Sequence, residues 1–301
     1  MLVITGASGN IGSKVAEILL ARGEKVRVVG REAVHLQRFV DRGAEAAVGN
    51  LNNPSFLSNA FTDADAIFTM IPPNYAAIDF RSYQNEIGAS IADAVTKSRV
   101  GYVVNLSSQG AELPSGTGPI LGLHDQEQRL NGLAEVNVLH LRPTYFMENL
   151  LMNIPIMNQI GVAGSAVRGE QRFAMIATKD IAAKVAEYLV RRDFTGKVVK
   201  DLLGQRDLTL DEAVSIIGKK IGWPELKYVQ FPYDEAEKGM VAAGLTPDMS
   251  RLYIEMSAAL NEGLFAAGRT RIAENTTPTT IEEFAETFAA AFENSTLKVA
   301  A

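Results

Sequence analysis

The residues Gly6-Ala7-Ser8-Gly9-Asn10-Ile11-Gly12 make a G-x-x-G-x-x-G turn directly after the apolar run Leu2-Val3-Ile4-Thr5. Glycine lacks a Cβ, so such a turn lets the backbone come close to a diphosphate. The helix that this turn opens aims its N-terminal N–H groups and the positive end of its dipole at the same place. The third glycine also allows close packing of helix on strand. A plain βα turn would read the same way locally. The nucleotide reading rests on position, because this is the first βα junction of a chain that continues in βαβ rhythm. The second apolar run ends Val28-Val29-Gly30 and is followed by Arg31-Glu32. An acidic residue there would suit the ribose 2′-hydroxyl of NAD, whereas the planar guanidinium of Arg31 suits a 2′-phosphate. The sequence therefore predicts NADP(H) in preference to NAD(H). Glu32 leaves two readings, a ribose partner or an ion-pair partner for Arg31, and Arg31 itself also reads as a solvated helix-start arginine.

The elements that must position these groups follow from hydrophobic spacing. Strands are expected at Leu2–Thr5, Lys25–Val29, Ala46–Val48, Ala66–Ile71, Val100–Leu106 and Val136–Leu141, with a long helix from Ala77 to Lys97. Short β-branched runs separated by helices predict an α/β protein, a Rossmann doubly wound parallel sheet. After Pro143 strands become sparse, and helices are expected near Lys179–Arg191, Leu210–Ile221, Asp234–Ala243, Asp248–Glu262 and Thr280–Phe292. The segment Asp207 to Thr209 supplies a cap for the second of these, and Thr280-Ile281-Glu282-Glu283 has a capping-box arrangement. The expected division is a nucleotide domain over 1–150 and a smaller, mostly helical C-terminal lobe over 151–301, partly interleaved with the sheet and covering the carboxyl ends of its strands. Ser295 to Ala301 reads as a loose tail.

Composition narrows the chemistry. The 301 residues are 47% hydrophobic and 21% charged, the balance of a globular protein with a sizeable core. A formal net charge of −6 gives no general attraction to nucleic acid or anionic lipid, so an anionic coenzyme needs a local positive site. The absence of cysteine excludes disulfides, thiolate nucleophiles and thiolate metal sites. Three histidines, His35, His124 and His140, stand far apart, so no metal site is expected. The first strand begins at Leu2, which leaves no room for a cleavable signal, and no run of about 18 apolar residues predicts a membrane span. The expected compartment is cytoplasmic.

The chain resembles the NmrA-like branch of the atypical short-chain dehydrogenases, a group that includes quinone and triphenylmethane reductases and redox-sensing regulators. The resemblance is carried by Thr5–Gly12, Gly49-Asn50-Leu51 with Pro54, Asp65–Pro73, Val103–Gly110, Arg142–Leu151, Ala177–Ala183 and Thr276–Phe284. It implies a Rossmann domain, a small C-terminal lobe and a preference for NADP(H). It further implies that Gly6, Ser8, Gly9, Asn10, Ile11 and Gly12 meet the pyrophosphate and Arg31 the 2′-phosphate. Asn50 and Leu51 would lie beside the adenine, although many relatives carry Asp at the first of these. Ile71 and Pro72 would line the ribose and phosphate path. Ser107 and Pro143-Thr144-Tyr145-Phe146 would flank the nicotinamide.

Ordinary members of the wider group use Tyr-x-x-x-Lys, whose lysine lowers the tyrosine pKa. No such pair follows the fifth strand, where the sequence reads Gly122-Leu123-His124-Asp125-Gln126-Glu127-Gln128. Leu123 stands where some relatives have lysine. His124 remains as a titratable candidate for proton donation, or as a helix-start histidine bonded to backbone or to Glu127. Tyr145 reads as a substrate contact or as pocket wall, and Ser107 as a partner for a substrate carbonyl or as a strand end. The apolar residues Tyr75, Phe146, Met147, Leu150 and Met152 suit a small apolar or aromatic substrate, or ordinary packing. The leading expectation is an NADPH-dependent reductase of a small carbonyl or quinone-like compound, since hydride transfer to such an acceptor needs little acid help. The alternative is a non-catalytic NADP(H)-binding redox sensor acting through a protein partner. A transient-redox isomerase is the weakest reading. Assembly into a homo-oligomer is left open.

Overall fold

The computed structural model describes residues 1–265 and 269–299. Its first part alternates β1 (Leu2–Ile4), α1 (Asn10–Ala21), β2 (Val26–Gly30), α2 (Ala33–Val40), β3 (Glu45–Val48), α3 (Pro54–Ala60) and β4 (Ala66–Thr69). Then come α4 (Phe80–Ser98), β5 (Tyr102–Leu106), α5 (Leu121–Asn131), β6 (Asn137–Pro143), β7 (Tyr145–Phe146), α6 (Ile154–Ile160), β8 (Ala163–Ser165) and β9 (Phe173–Ile176). The chain continues with α7 (Thr178–Arg191), β10 (Lys197–Leu202), β11 (Asp207–Leu208), α8 (Leu210–Lys220) and β12 (Tyr228–Gln230). It closes with α9 (Tyr233–Ala242), α10 (Pro247–Asn261) and α11 (Ile281–Val299).

Two compact units emerge. The first comprises Met1–Ser115, Pro119–Arg142 and Ile181–Asp201; the second comprises Gly116–Gly118, Pro143–Asp180 and Leu202–Ala301. The chain thus passes to the second unit at Pro143, ahead of residue 150, and comes back for most of α7 and β10.

The first unit is built on a seven-stranded sheet in the order β10-β6-β5-β4-β1-β2-β3. Ile4 pairs in parallel with Val28 of β2 on one side and with Phe68 of β4 on the other. The strand order reverses at β1, and in doubly wound sheets the crevice at such a reversal receives the ligand. Val3, Val29, Ile67, Val103 and Val138 from five strands pack with Leu57, Phe61, Ile87, Ile91, Val95 and Leu130 of α3, α4 and α5 and their flanks. Burial of β1 and β4 at every position explains their unbroken apolar runs.

Some boundaries move for physical reasons. β4 ends at Thr69, short of Ile71, because β1 has turned away and Pro72 has no N–H to pair. The long helix starts at Phe80, after Asp79, whose carboxylate accepts from the Ser82 N–H at 2.8 Å. β5 begins at Tyr102 because Arg99, with φ 56°, closes α4 in the left-handed region.

The second unit is less purely helical than its sequence suggested. It contains the small sheets β11-β9-β7 and β12-β8 beside its helices. Strands of two to four residues are too short to show an alternating pattern. The expected capping box forms between Thr280 and Glu283 at α11, and the cap expected within Asp207 to Thr209 is Thr209, which makes a full box with Glu212 at α8. Helix α11 runs through to Val299, so the tail expected from Ser295 is helical there; Ala300 and Ala301 lie outside the described residues.

Candidate functional site

The glycine turn sits at the reversal of strand order. The Thr5 N–H donates to Phe68 C=O at 3.1 Å, towards β4, and the Ala7 N–H to Val29 C=O at 3.3 Å, towards β2. Gly6 has φ 64°, a conformation that L side chains avoid. A Cβ on Gly12 would stand 2.3 Å from the Gly6 carbonyl oxygen, so only glycine lets α1 begin this close to the turn. The Gly9 N–H closes the turn onto Gly6 C=O at 2.9 Å. Gly9 is also the N-cap of α1 and provides no side-chain cap, unlike Asn53, Asp79, Thr209 and Thr246 at other helices. The first-turn N–H groups of α1 are therefore without the side-chain acceptor that those helices possess. Ser8, Gly9 and Asn10 are exposed, while the side chain of Ile11 is buried.

Beside the turn lies an open cleft of about 510 Å³ lined by Ser8, Arg31, Glu32, Val34, His35 and Arg38. Glu32 pairs with His35 at 3.9 Å, not with Arg31. Among the described residues no hydrogen bond or ion pair holds the Arg31 guanidinium. Arg38 lies 3.7 Å from Glu17 and 4.6 Å above the ring of Phe39. His35 and Arg38 were not singled out in the sequence, although their spacing of three along α2, just after Arg31, was the available signal. Asn50 is exposed next to Gly49, whose N–H donates to Gly30 C=O at 2.9 Å, while Leu51 turns into the core. Ile71 is likewise a core side chain and Pro72 is half-buried, so Ile71 has only backbone to offer a ligand.

The carboxyl ends of β5 and β6 carry a different arrangement. Ser107 Oγ donates to Glu127 Oε1 at 2.5 Å. Arg142 donates from Nε to the same oxygen at 2.9 Å and from Nη2 to Glu127 Oε2 at 2.6 Å. Arg142 Nη1 stands 3.3 Å from Glu112, which also accepts from the Gly110 N–H at 3.2 Å. Burial opposes the Arg142 charge, but the hydrogen bonds and charge of Glu127, with Glu112 and Asp201, outweigh it and raise its pKa above the ordinary arginine value. His124, half-buried on α5, donates from Nδ1 to Ala111 C=O at 2.8 Å, which fixes the neutral tautomer and leaves Nε2 without a hydrogen-bond partner among the described residues. Its partner is thus backbone, not Glu127. Leu123 packs on the core. Sequence reasoning missed Arg142, Glu112 and the role of Glu127; the signal was a charge ending an apolar strand and a glutamate three residues after His124.

Deeper in the same sheet, Thr69 Oγ1 donates to Asn105 Oδ1 at 3.2 Å. Asn105 Nδ2 and His140 Nδ1 are 3.1 Å apart, and His140 Nε2 lies 3.0 Å from Asn131 Oδ1. Burial pushes the imidazole of His140 down to about 4, against the pull of Glu127.

In the second unit, Pro143 ends β6 and Tyr145 pairs with Met175 of β9. The Tyr145 ring lies 5.2 Å from that of Phe173, and burial raises its pKa, so the phenol keeps its proton. Thr144 Oγ1 donates to Ala174 C=O at 2.6 Å. Met147 and Leu150 are core residues and Phe146 is half-buried, whereas Met152 is exposed; Tyr75 of the first unit is exposed too. Packing therefore accounts for Met147 and Leu150. Among the described residues no group of three or more His, Asp or Glu could hold a metal, and no helix is long and apolar enough to cross a membrane.

With this geometry in place, comparison with known proteins is informative. The NmrA-like family model matches residues 1–285. The chain belongs to the NmrA-like family. This NmrA-like protein is 25% identical over 296 residues to the NAD(P)H azoreductase of Xenophilus azovorans, covering 97% of this chain and 99% of that one. Its fold is similar to that of triphenylmethane reductase from Citrobacter sp. complexed with NADP(H), with a TM-score of 0.77, 17% identity and coverage of 96% and 100%. It is also similar to the NADPH-dependent quinone oxidoreductase QOR2 of Escherichia coli complexed with NADPH, with a TM-score of 0.74, 19% identity and coverage of 95% and 99%. At these identities the structural likenesses establish the Rossmann-type fold.

Proposed function

We propose that this protein is an NADPH-dependent oxidoreductase that reduces a small, electron-poor, carbonyl or quinone-like compound. The carrying observation is the glycine turn at the reversal of strand order: an uncapped helix start, glycines that a Cβ would disrupt, and Arg31 beside them with no hydrogen-bond or ion-pair partner among the described residues. These residues fit a dinucleotide. Gly6, Ser8, Gly9, Asn10, Ile11 and Gly12 would hold the diphosphate through backbone N–H groups, and Arg31 the 2′-phosphate through paired donors. Asn50, Leu51, Ile71 and Pro72 would follow the adenosine and ribose, and Ser107, Pro143 and Tyr145 the nicotinamide. The family relatives named for azo, triphenylmethane and quinone reduction support the substrate class.

Bound reduced nicotinamide supplies a hydride, and one proton completes the two-electron reduction of a quinone to its hydroquinone. The chain's own contribution is to orient, to exclude water and to relay that proton. Tyr145 is poorly suited to give it, since burial holds its proton tightly. His124 is the candidate for the role: with Nδ1 donating to Ala111 C=O, Nε2 would carry the proton when the ring is charged.

The test is NADPH oxidation with a panel of quinones, azo dyes and aldehydes, beside separate titrations of NADPH and NADH. Turnover with the quinones and aldehydes is expected. Tight NADPH binding with no oxidation by any acceptor would overturn the reductase reading in favour of a sensor.

A further inference from the structure

The hydrogen-bond polarity at Ser107 reaches beyond the proposed activity. A serine hydroxyl has one proton and two lone pairs. Here the proton is committed to Glu127, 2.5 Å away, in a setting where both residues are almost fully buried, at 3% and 2% exposure. Glu127 is engaged as an acceptor at both oxygens. Its Oε1 accepts from Ser107 and from Arg142 Nε, and its Oε2 accepts from Arg142 Nη2. All three hydrogen bonds run into the carboxyl oxygens, two of them from a bidentate guanidinium. Arg142 in turn is braced by Glu112, which the Gly110 N–H holds in place. Rotating the Ser107 proton away would leave a buried carboxylate oxygen short of one donor, a cost that the same low-dielectric setting makes large. Ser107 therefore presents lone pairs only and has no proton for a substrate carbonyl.

A group that faces only lone pairs must bring its own donor. The nicotinamide carboxamide carries an N–H₂ beside its carbonyl, and it is the donor-bearing group expected at the end of β5. Resting on the coenzyme reading above, we propose that Ser107 is a hydrogen-bond acceptor for the carboxamide N–H of the coenzyme, and that Glu127, oriented by Arg142, is the positioning residue that enforces this polarity. The pair would select the amide end of the ring substituent and so set which way the ring is turned.

The 3-acetylpyridine analogue of NADPH replaces the carboxamide N–H₂ by a methyl group and keeps the carbonyl. Dissociation constants of NADPH and this analogue, measured by calorimetry with no acceptor present, read the interaction without turnover. Wild type should bind NADPH roughly two- to tenfold more tightly than the analogue, the range of one hydrogen bond. Ser107→Ala, which leaves the Glu127–Arg142 pair in place, should bring the ratio to about one. Glu127→Gln replaces an accepting oxygen by a donor amide and should lower the ratio while NADPH still binds; a merely structural role would weaken both ligands equally. Circular dichroism checks that each variant is folded. Should Glu127→Gln fail to fold, Arg142→Lys, which retains a cation but loses the two-pronged grip, replaces it with the same expected fall in ratio. Equal binding of the two ligands by wild type, or an unchanged ratio in Ser107→Ala, overturns the acceptor role. An unchanged ratio in the folded Glu127 or Arg142 variant overturns the positioning role. No NADPH binding by wild type overturns the coenzyme reading itself, a result distinct from either.

Discussion

Two ends of the same sheet treat polar groups in opposite ways. At β1 and β2 the first-turn N–H groups of α1 lack a side-chain cap, and the Arg31 guanidinium has no hydrogen-bond or ion-pair partner among the described residues beside an open cleft. At β5 and β6 the buried side chains of Ser107 and Glu127 bond one another and the half-buried Arg142, which reaches out to the exposed Glu112. The first end is unfinished without an anion, since exposed donors gain most from a ligand that brings negative charge. The second is complete before any ligand arrives, which makes it rigid and fixes the direction of each hydrogen bond. Binding strength is thus expected from the first end and orientation from the second.

The contrast breaks most sharply at Glu127. Glu127→Ala leaves the half-buried Arg142 guanidinium with Glu112 alone and should cost about 3 kcal/mol of folding stability, read from urea denaturation. A loss within error of zero would show that the network is not held as tightly as its distances indicate. Of similar size is acid destabilisation through His140, whose imidazole is pushed from an ordinary 6.5 to about 4. The unfolded chain takes up a proton below about 6.5 that the native ring refuses until about 4. This contribution is therefore fully present above pH 6.5 and is lost as pH falls through 4, amounting to about 3 kcal/mol. Denaturation of wild type and His140→Gln at pH 7 and pH 4 measures it as the difference in their pH dependence; equal dependence would remove the assignment.

Smaller stability effects are expected at the open end. Gly12→Ala forces a Cβ against the Gly6 carbonyl and should cost about 1–3 kcal/mol, with NADPH affinity falling further as the turn opens. Arg31→Ala should leave folding unchanged and weaken NADPH by about tenfold or more relative to NADH. Equal losses for the two nucleotides would remove the basis for naming NADP(H). His124→Ala should lower turnover with carbonyl acceptors more than with quinones, and unchanged rates with both would exclude it as the proton donor.

Much of the first unit could be read in advance because its strands are buried on both sides and its helices amphipathic. Leu2–Ile4 and Ala66–Thr69 stand out as apolar runs for that reason, and Gly12 is glycine because the backbone leaves no alternative. The second unit was less legible. A strand such as Tyr145–Phe146 or Asp207–Leu208 is too short for a period; in the first unit β10, at the edge of the large sheet, was hidden because it mixes Lys197, Lys200 and Asp201 with Val198 and Val199. Glu127 and Arg142 escaped notice because charged side chains carry no period and are fifteen residues apart in sequence.

Local rules written into the chain determined where the first helix starts, that its N–H groups lack a cap, and that a cation follows β2. Those features depend on neighbours within a few residues, where backbone geometry and side-chain type act directly. Only the tertiary structure decided that Glu32 pairs with His35, that Leu123 and Ile71 are spent on the core, and that the proton of Ser107 points to Glu127. These outcomes depend on which buried donors and acceptors the folded sheet brings within about 3 Å, a distance that sequence separation does not encode.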